Sequence, residues 1–245
     1  FTVRVWTAIL ADCSWRNLMQ AKAPSADRIR EKKKIFLARE AKIVKAALEL
    51  LISENIDRVT VSKIASKAGI GKGTVYKHFL TKNEILVRIM LDYEQSISTR
   101  LAEGLEEAKK GDPGAVSKAY FESRLARPQL DRLVQKLEDR LVDAEDIESQ
   151  LAEVSRIRRS HEDALDTMIT KLIGDGILED VPSHYHSLSC WALAQGAVEL
   201  YFNRTLGDIE DTEALMGFIT SIGVTMGNRG QYHQAGDKQP KSLKK

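Results

Sequence analysis

The spacing of the apolar residues is the feature of this 245-residue sequence that most restricts its fold. From Ile43 to Met226 these residues recur at intervals of three and four, which places them on one side of successive α-helices. No segment shows the alternation of apolar and polar residues that is typical of a half-buried strand. The sequence therefore predicts an all-α protein.

Breaks in this periodicity divide the chain into separate predicted helices. Polar stretches or stretches with glycine and proline interrupt it at 55–57, 111–114, near Pro128 and at 174–176. We expect helices at about 38–54, 61–68, 72–79, from 83 past Leu101, 115–126, 129–143, 151–172, 183–205 and 210–227. The first three are much shorter in total than the rest, so a small amino-terminal unit precedes a larger helical bundle.

The charge is distributed unevenly between these two parts. Residues 1–82 hold 17 basic and 7 acidic side chains, a formal +10, whereas residues 83–245 hold 20 and 28, a formal −8. A basic segment joined to an acidic body suggests that the first part contacts a polyanion, because phosphate neutralisation supplies much of the affinity for nucleic acid. The charge distribution by itself is explained equally well by a solvated basic face that binds no partner.

Composition excludes several classes of protein. Two cysteines, Cys13 and Cys190, are too few for a disulfide framework or a four-thiolate zinc site, which favours a reducing compartment. No apolar run approaches the roughly 18 residues that a membrane-spanning helix needs. We therefore expect a soluble, cytoplasmic protein without a membrane partner.

The segment from Thr60 to Phe79 has the spacing of a helix-turn-helix motif. Thr60 is a predicted N-cap, and Gly69 supplies a turn position at which a positive φ costs little. The two short helices would share a small core formed by Ile64, Ala65, Ile70, Val75 and Phe79. The outer face of the second helix would present polar side chains, namely Lys72, Thr74, Tyr76, Lys77 and His78.

This motif resembles the DNA-binding signature of the TetR/AcrR family of bacterial transcription regulators, with the close resemblance covering Ile43–Leu86. The resemblance implies a three-helix DNA-binding domain at 35–82, followed by a helical-bundle domain at 83–227 that binds an effector and dimerises. Residues 1–34 would then be an amino-terminal extension and basic arm, partly disordered, and 228–245 a disordered tail. We also expect Met19 to be the natural start, with residues 1–18 being upstream or vector sequence.

The resemblance implies that nine residues form the DNA-binding site: Thr60, Ser62, Lys72, Gly73, Thr74, Tyr76, Lys77, His78 and Lys82. Lys72 and Thr74 would approach base edges or the flanking backbone, whereas Tyr76, His78 and Lys82 would donate to phosphates. Simpler roles remain open. Tyr76 fits a core aromatic with a surface hydroxyl, and the others fit ordinary solvated side chains at a helix surface.

The resemblance also implies a homodimer formed through the last two helices, a near-palindromic operator, and release of a repressor by an unknown small-molecule effector. The helix at 188–202 is apolar nearly all round, so more than one of its sides must be covered. Small residues of the last helix, Gly217, Ser221 and Gly223, would permit close approach of a partner helix.

Candidates for the effector pocket are aromatic or polar residues on otherwise apolar faces. They are Tyr93, Tyr120, Phe121, Arg158, His161, Trp191, Gln195 and Tyr201. Ordinary core packing is the alternative role for each of them.

Other patterns carry little functional information. The glycines at 69–73 lack the spacing of a phosphate loop, and His161, His184 and His186 have no clustered cysteine or carboxylate with which to hold a metal. No catalytic arrangement is identifiable, so we expect neither an enzyme nor a cofactor. Two alternatives stay open: a nonspecific nucleic-acid-binding protein, and an enzyme or carrier bundle with a vestigial DNA module.

Overall fold

A computed structural model of the chain describes residues 26–202 and 211–227. Its α-helices are α1 (Ala26–Ser53), α2 (Val61–Lys67), α3 (Lys72–Val75), α4 (Lys82–Lys109), α5 (Ala115–Leu125), α6 (Pro128–Leu141), α7 (Glu148–Gly174), α8 (Ser183–Phe202) and α9 (Thr212–Gly227). Short 3₁₀ turns lie at Ile56–Arg58 and Glu145–Ile147. These two ranges contain no strand, which confirms the all-α prediction. The expectations about residues 1–18 and 228–245 lie outside the described residues.

Contacts divide the chain into two units, residues 1–42 and 43–245. The described part of the first unit, from Ala26 onward, is the beginning of α1, where the sequence predicted a partly disordered arm and a helix starting near residue 38. This stretch consists largely of Arg, Glu and Lys, which are good helix formers, and Asp27 lies in the first turn. Its large apolar residues, Ile29, Ile35, Phe36 and Leu37, are exposed, and lysines occupy the positions three and four after Ile29, so no continuous apolar stripe marks the helix.

In the second unit, α2 and the turn after it form as the sequence predicted. The Thr60 hydroxyl caps α2 by accepting a hydrogen bond from the Lys63 backbone N–H at 3.3 Å. Gly69 has a φ of +63°, and the next N–H, that of Ile70, donates to the Ala65 carbonyl at 3.0 Å. Ile64, Ala65, Val75 and Phe79 are buried together, with Ile70 packed against them. This α2–turn–α3 unit, with α1 from Ile43 onward, is called the head below.

The longest continuous core runs from the head into the body through α4. Thr81 caps α4 by accepting from the Glu84 N–H at 3.2 Å, and the Glu84 carboxylate accepts from the N–H of Leu80, the residue before the cap, at 2.5 Å. Along α4, buried residues from Ile85 to Leu101 pack with buried residues of α6 and α7. At Gly104 a Cβ atom would lie 2.9 Å from the Ala119 Cβ, so glycine lets α4 and α5 approach closely.

A second, smaller core joins α5 to α8 and α9. Phe121 is fully buried there with Ala194, Val198, Met216 and Ile219, a burial that contributes roughly 1.5–3 kcal/mol for such a side chain. Gly223 lies directly against Phe121, because a Cβ at this position would stand 2.0 Å from the phenyl Cε2. Gly223 therefore serves packing inside the chain, and the expectation that it faces a partner helix is corrected. None of the described helices is long and apolar enough to cross a membrane.

Candidate DNA-binding surface and effector cavity

The segment that follows the turn at Gly69 is only partly α-helical. The α-helix ends at Val75, where the sequence predicted a helix over 72–79. Beyond it the backbone continues in tighter turns, because the Lys77 and His78 N–H groups donate to the carbonyls three residues before them at 3.2 and 2.9 Å. Val75 and Phe79 still face the core, so the intervening residues keep the outward orientation that the helical pattern predicted.

The polar residues of this segment lie at the surface of the head. Lys72, Gly73 and Lys77 are exposed, and Thr74 is half-buried beside them. Tyr76 is 42% exposed and its ring lies 5.8 Å from the Lys72 Nζ, so it is a surface residue and not a core aromatic. This pairing holds an ammonium group and a phenol hydroxyl next to each other on the outer face.

Thr60 and Ser62 add hydroxyl groups at the start of α2, and both are exposed. The Thr60 oxygen accepts the capping bond described above, which leaves its own proton free to be donated outward. His78 is half-buried. The head thus exposes donors from both α2 and α3, and such groups can bind phosphates and base edges.

Lys82 is placed differently from the other predicted DNA contacts. Its Nζ donates to the Ile56 carbonyl at 2.5 Å and is half-buried, so it joins the first turn of α4 to the 3₁₀ turn of the head. Burial lowers the pKa of Lys82, nearby Asp57 raises it and Arg140 lowers it further. Sequence patterns could not indicate this contact, because Lys82 and Ile56 are 26 residues apart along the chain.

Two further contacts connect the head and the start of α4 to the body. The Asn83 amide donates to the Asp146 carboxylate at 2.8 Å, and Arg140 lies 3.3 Å from Asp57. Both partners belong to the carboxyl-terminal end of α6 or to the turn after it. The orientation of the head is therefore tied to that end of α6.

The body encloses a cavity of about 940 Å³ between α4, α5, α6, α7 and α8. Six of the eight predicted pocket residues line it: Tyr93, Tyr120, Arg158, His161, Trp191 and Gln195. The other two do not. Phe121 belongs to the second core, because adjacent positions on a helix face different sides and its neighbour Tyr120 takes the cavity side. Tyr201 instead accepts a hydrogen bond from the Gln129 amide at 2.7 Å.

A buried ion pair, which the sequence analysis missed, forms part of the cavity wall. Arg124 donates from Nε and Nη2 to the two oxygens of Asp131, each at 2.8 Å, and both side chains are more than nine-tenths buried. Asp131 also accepts from the Tyr93 hydroxyl and, at 2.7 Å, from Gln135. Gln195 on α8 accepts from Arg124 at 3.1 Å, so this network links four helices.

A second cluster centres on Arg158 of α7. Its guanidinium donates to the buried Glu94 on α4, at 2.8 Å from Nε, and also to Glu138 on α6. Burial disfavours the charge on Arg158, but the hydrogen bonds and attraction from these two carboxylates raise its pKa above the usual value. One cation thus holds two carboxylates from different helices.

His161 lies one turn beyond Arg158 and faces the same cavity. Its Nδ1 is buried without a hydrogen-bond partner. Burial lowers the pKa of His161, with Glu94 and Glu162 opposing and Arg158 reinforcing the shift. Within the described ranges no group of three or more His, Cys, Asp or Glu side chains is arranged to hold a metal ion.

A head with an exposed polar segment after a tight turn, joined to a helical body, defines a helix-turn-helix DNA-binding protein. Residues 43–89 match the family model described as "Bacterial regulatory proteins, tetR family". Residues 43–89 therefore carry the DNA-binding segment described by this family model, as expected for a DNA-binding transcriptional regulator.

Curated relatives match over different lengths. The Fatty acid metabolism regulator protein of Bacillus subtilis is 28% identical over 141 residues, which are 56% of this chain and 70% of the relative. The HTH-type transcriptional regulator SrpR of Pseudomonas putida is 39% identical over 49 residues, 20% of this chain and 23% of the relative. Similarity to this second relative is confined to less than a quarter of its length.

Among solved structures, the transcriptional regulator FadR from Bacillus subtilis in complex with stearoyl-CoA is 23% identical, with a TM-score of 0.56. The superposition covers 76% of this chain and 98% of that structure. This likeness shows that the fold extends through the body as well as the head.

Proposed function

We propose that the chain binds a near-palindromic operator as a homodimer, represses transcription there, and is released by a small molecule in the cavity. The observation that carries this proposal is the continuity of α4, whose first residues hold the head and whose middle lines the cavity. Lys82 and Tyr93 are 11 residues apart on this helix, a distance of roughly 16 Å at 1.5 Å per residue.

Exposed apolar residues on α9 support the dimer. Phe218 is 62% exposed and Ile222 is exposed with it, whereas Leu188 and Trp191 of the neighbouring α8 are exposed but also line the cavity. A cluster of large apolar side chains at a surface indicates an interface. A second copy of the chain is the proposed occupant, because a two-fold axis would also pair the two heads for a symmetric DNA site. Gly217 supports close contact, since a side chain added there would meet open space within the described part of the chain.

Release would follow from a difference in ligand affinity between two dimer geometries. A molecule in the cavity contacts α4 at Tyr93 and Glu94, and both side chains are hydrogen-bonded to other helices of the body. Rearrangement of these bonds would shift α4 and, through the Lys82 contact with Ile56, the position of the head. We propose that the protein binds DNA and a small molecule in the cytoplasm and catalyses no reaction.

Selection of genomic fragments by the purified full-length chain tests the proposal. We expect the enriched fragments to share an inverted repeat whose half-sites lie about one DNA turn apart. Thr74→Ala should relax the preference at one position of each half-site. Lys136→Ala, an exposed lysine of α6 outside the head, is the matched control and should leave the motif unchanged. Enrichment without any shared motif would support nonspecific nucleic-acid binding instead.

Repeating the selection with added cell-extract metabolites tests release. If one metabolite fraction abolishes the enrichment of fragments, that fraction contains the effector. If the chain binds no DNA and converts a metabolite, the enzyme alternative is favoured.

A further inference from the structure

The charges on the cavity wall do not balance. Among the described residues, six carboxylate side chains line it, together with two guanidinium groups, those of Arg124 and Arg158, and no lysine. The formal balance of these ionisable side chains is −4. His161 does not compensate it at neutral pH, because burial favours the uncharged imidazole.

Both guanidinium groups are already committed to protein carboxylates. Arg124 forms two parallel bonds with Asp131, a one-to-one pair. Arg158 has two carboxylate partners, Glu94 and Glu138, so that cluster keeps an excess of one negative charge. An anionic ligand would therefore find no uncommitted guanidinium among the described residues of this wall, and it would have to approach the excess negative charge at Glu94 and Glu138.

The rest of the cavity changes from charged to apolar along two helices. On α4, Glu94 is followed on the same face by Ile97 and Leu101, and Leu101 lies about 10 Å further along the axis. On α7, Arg158 and His161 are followed by Leu165. Because Arg158 binds Glu94, the charged ends of the two helical faces lie together. Along these two helices the wall is thus amphipathic, with charged side chains around Arg158 and apolar side chains beyond them, while Glu179 and His186 line the cavity after the end of α7.

We propose that the cavity binds an amphipathic organic cation, with a protonated or quaternary amine beside Glu94 and Glu138 and a hydrocarbon body along Ile97, Leu101 and Leu165. The inference rests on the proposed function, since it names the chemical class of the effector. It sets this chain apart from the Bacillus subtilis structure in complex with stearoyl-CoA, because a coenzyme A thioester carries several phosphate charges that this wall would repel.

Isothermal titration calorimetry of the full chain without DNA tests the ligand class. The probes are dodecyltrimethylammonium, dodecanoate and dodecanoyl-CoA, each kept below its micelle concentration. We expect the cation to bind at least about tenfold more tightly than either anion. Glu138→Gln, which keeps the side-chain shape at a half-buried position, should weaken cation binding by about tenfold and leave dodecanoate binding unchanged or stronger.

Glu153→Gln is the matched control, because Glu153 lies on α7 outside the cavity and pairs with Arg156 at the surface. If Glu138→Gln fails to fold, Glu162→Gln at an exposed position of the cavity wall replaces it. Three results would overturn the proposal. They are tighter binding of either anion than of the cation, equal affinity of the cavity variant and the wild type for the cation, and no binding of the cation.

Operator binding measured in the same samples separates this inference from the proposed function. If the cation binds but the protein stays on the operator at saturating ligand, the cavity binds a cation but this cation is not the effector that releases DNA. If an anion releases the operator and the cation does not, the protein is regulated by a ligand as proposed, but the ligand is not a cation.

Discussion

Asp131 is the residue whose removal should disturb the body most. It accepts hydrogen bonds from Arg124, Tyr93 and Gln135, and it is the carboxylate that balances a guanidinium group buried with it. Asp131→Asn would leave the charge of Arg124 buried without its partner, which typically costs about 3–5 kcal/mol. We therefore expect urea denaturation to show a loss of this size in the free energy of unfolding.

The surface pair Glu153 and Arg156 supplies the control for this experiment. Both side chains are well exposed, so Glu153→Gln should leave the unfolding midpoint unchanged. A loss for Asp131→Asn no larger than for the control would show that the buried pair does not stabilise the body.

His161 should make the stability of the chain depend on pH in the acidic range. Its folded-state pKa lies below the ordinary imidazole value of about 6.5 because burial disfavours the imidazolium form. Below about pH 6.5 the unfolded chain binds the proton more readily than the folded chain, so stability falls as the pH is lowered through this range toward the folded-state pKa. His161→Gln should lose less stability than the wild type between pH 7 and pH 5 in thermal melts.

His184→Gln is the matched variant for this measurement, since His184 is exposed on α8 and does not line the cavity. Its pH profile should follow that of the wild type. If the profile of His161→Gln also follows the wild type, the burial of His161 does not contribute to acid sensitivity.

The sequence indicated several of these residues but could not pair them. Tyr93, Arg158 and His161 stood out because they are polar or aromatic on apolar faces, and all three line the cavity. The partners of Arg158 are Glu94 and Glu138, which are 64 and 20 residues away. Periodicity identifies a face of one helix, whereas such pairings depend on how the helices pack.

At the scale of single elements, the head should bind DNA through exposed cations of the segment after Gly69. Lys77 is exposed there and does not take part in the core. Lys77→Ala should remove one phosphate contact, lowering affinity for all sequences alike and reducing the slope of log K against log salt by about one. Fluorescence anisotropy with the selected duplex at several salt concentrations measures this slope.

Lys136→Ala removes an exposed lysine from the acidic body and should leave the slope at its wild-type value. A slope that is the same for Lys77→Ala as for this control would count against a phosphate contact at Lys77. Lys82→Ala differs from both, because it also removes the bond to the Ile56 carbonyl and should lower the thermal stability of the head.

The start of α1 and the end of α3 differ from the bounds that the sequence predicted. The start of α1 is helical without an apolar stripe, so propensity alone could have found it. The α-helical part of α3 stops at Val75 although apolar Phe79 continues the pattern, because a shift to tighter turns leaves both residues on the core side. The turn at Gly69 and the cap at Thr60, which depend on single local residues, were predicted correctly.

At the scale of the whole molecule, the exposed apolar surface of α8 and α9 should decide the oligomeric state. Phe218→Glu would place a charge in the proposed interface, so we expect a shift from dimer to monomer in sedimentation velocity and a large loss of operator affinity. Val142→Glu changes an apolar side chain that is 70% exposed outside these two helices, and it should remain dimeric. A dimeric Phe218→Glu would place the interface elsewhere.

The number of chains on the selected operator shows whether the protein recognises DNA as a homodimer. Mass photometry of the complex should show chains bound in pairs on the intact inverted repeat, and scrambling one half-site should lower the affinity by at least about a hundredfold. Recognition by a homodimer would be ruled out by a single chain bound to each repeat, or by equal affinity for the intact and the half-scrambled duplex.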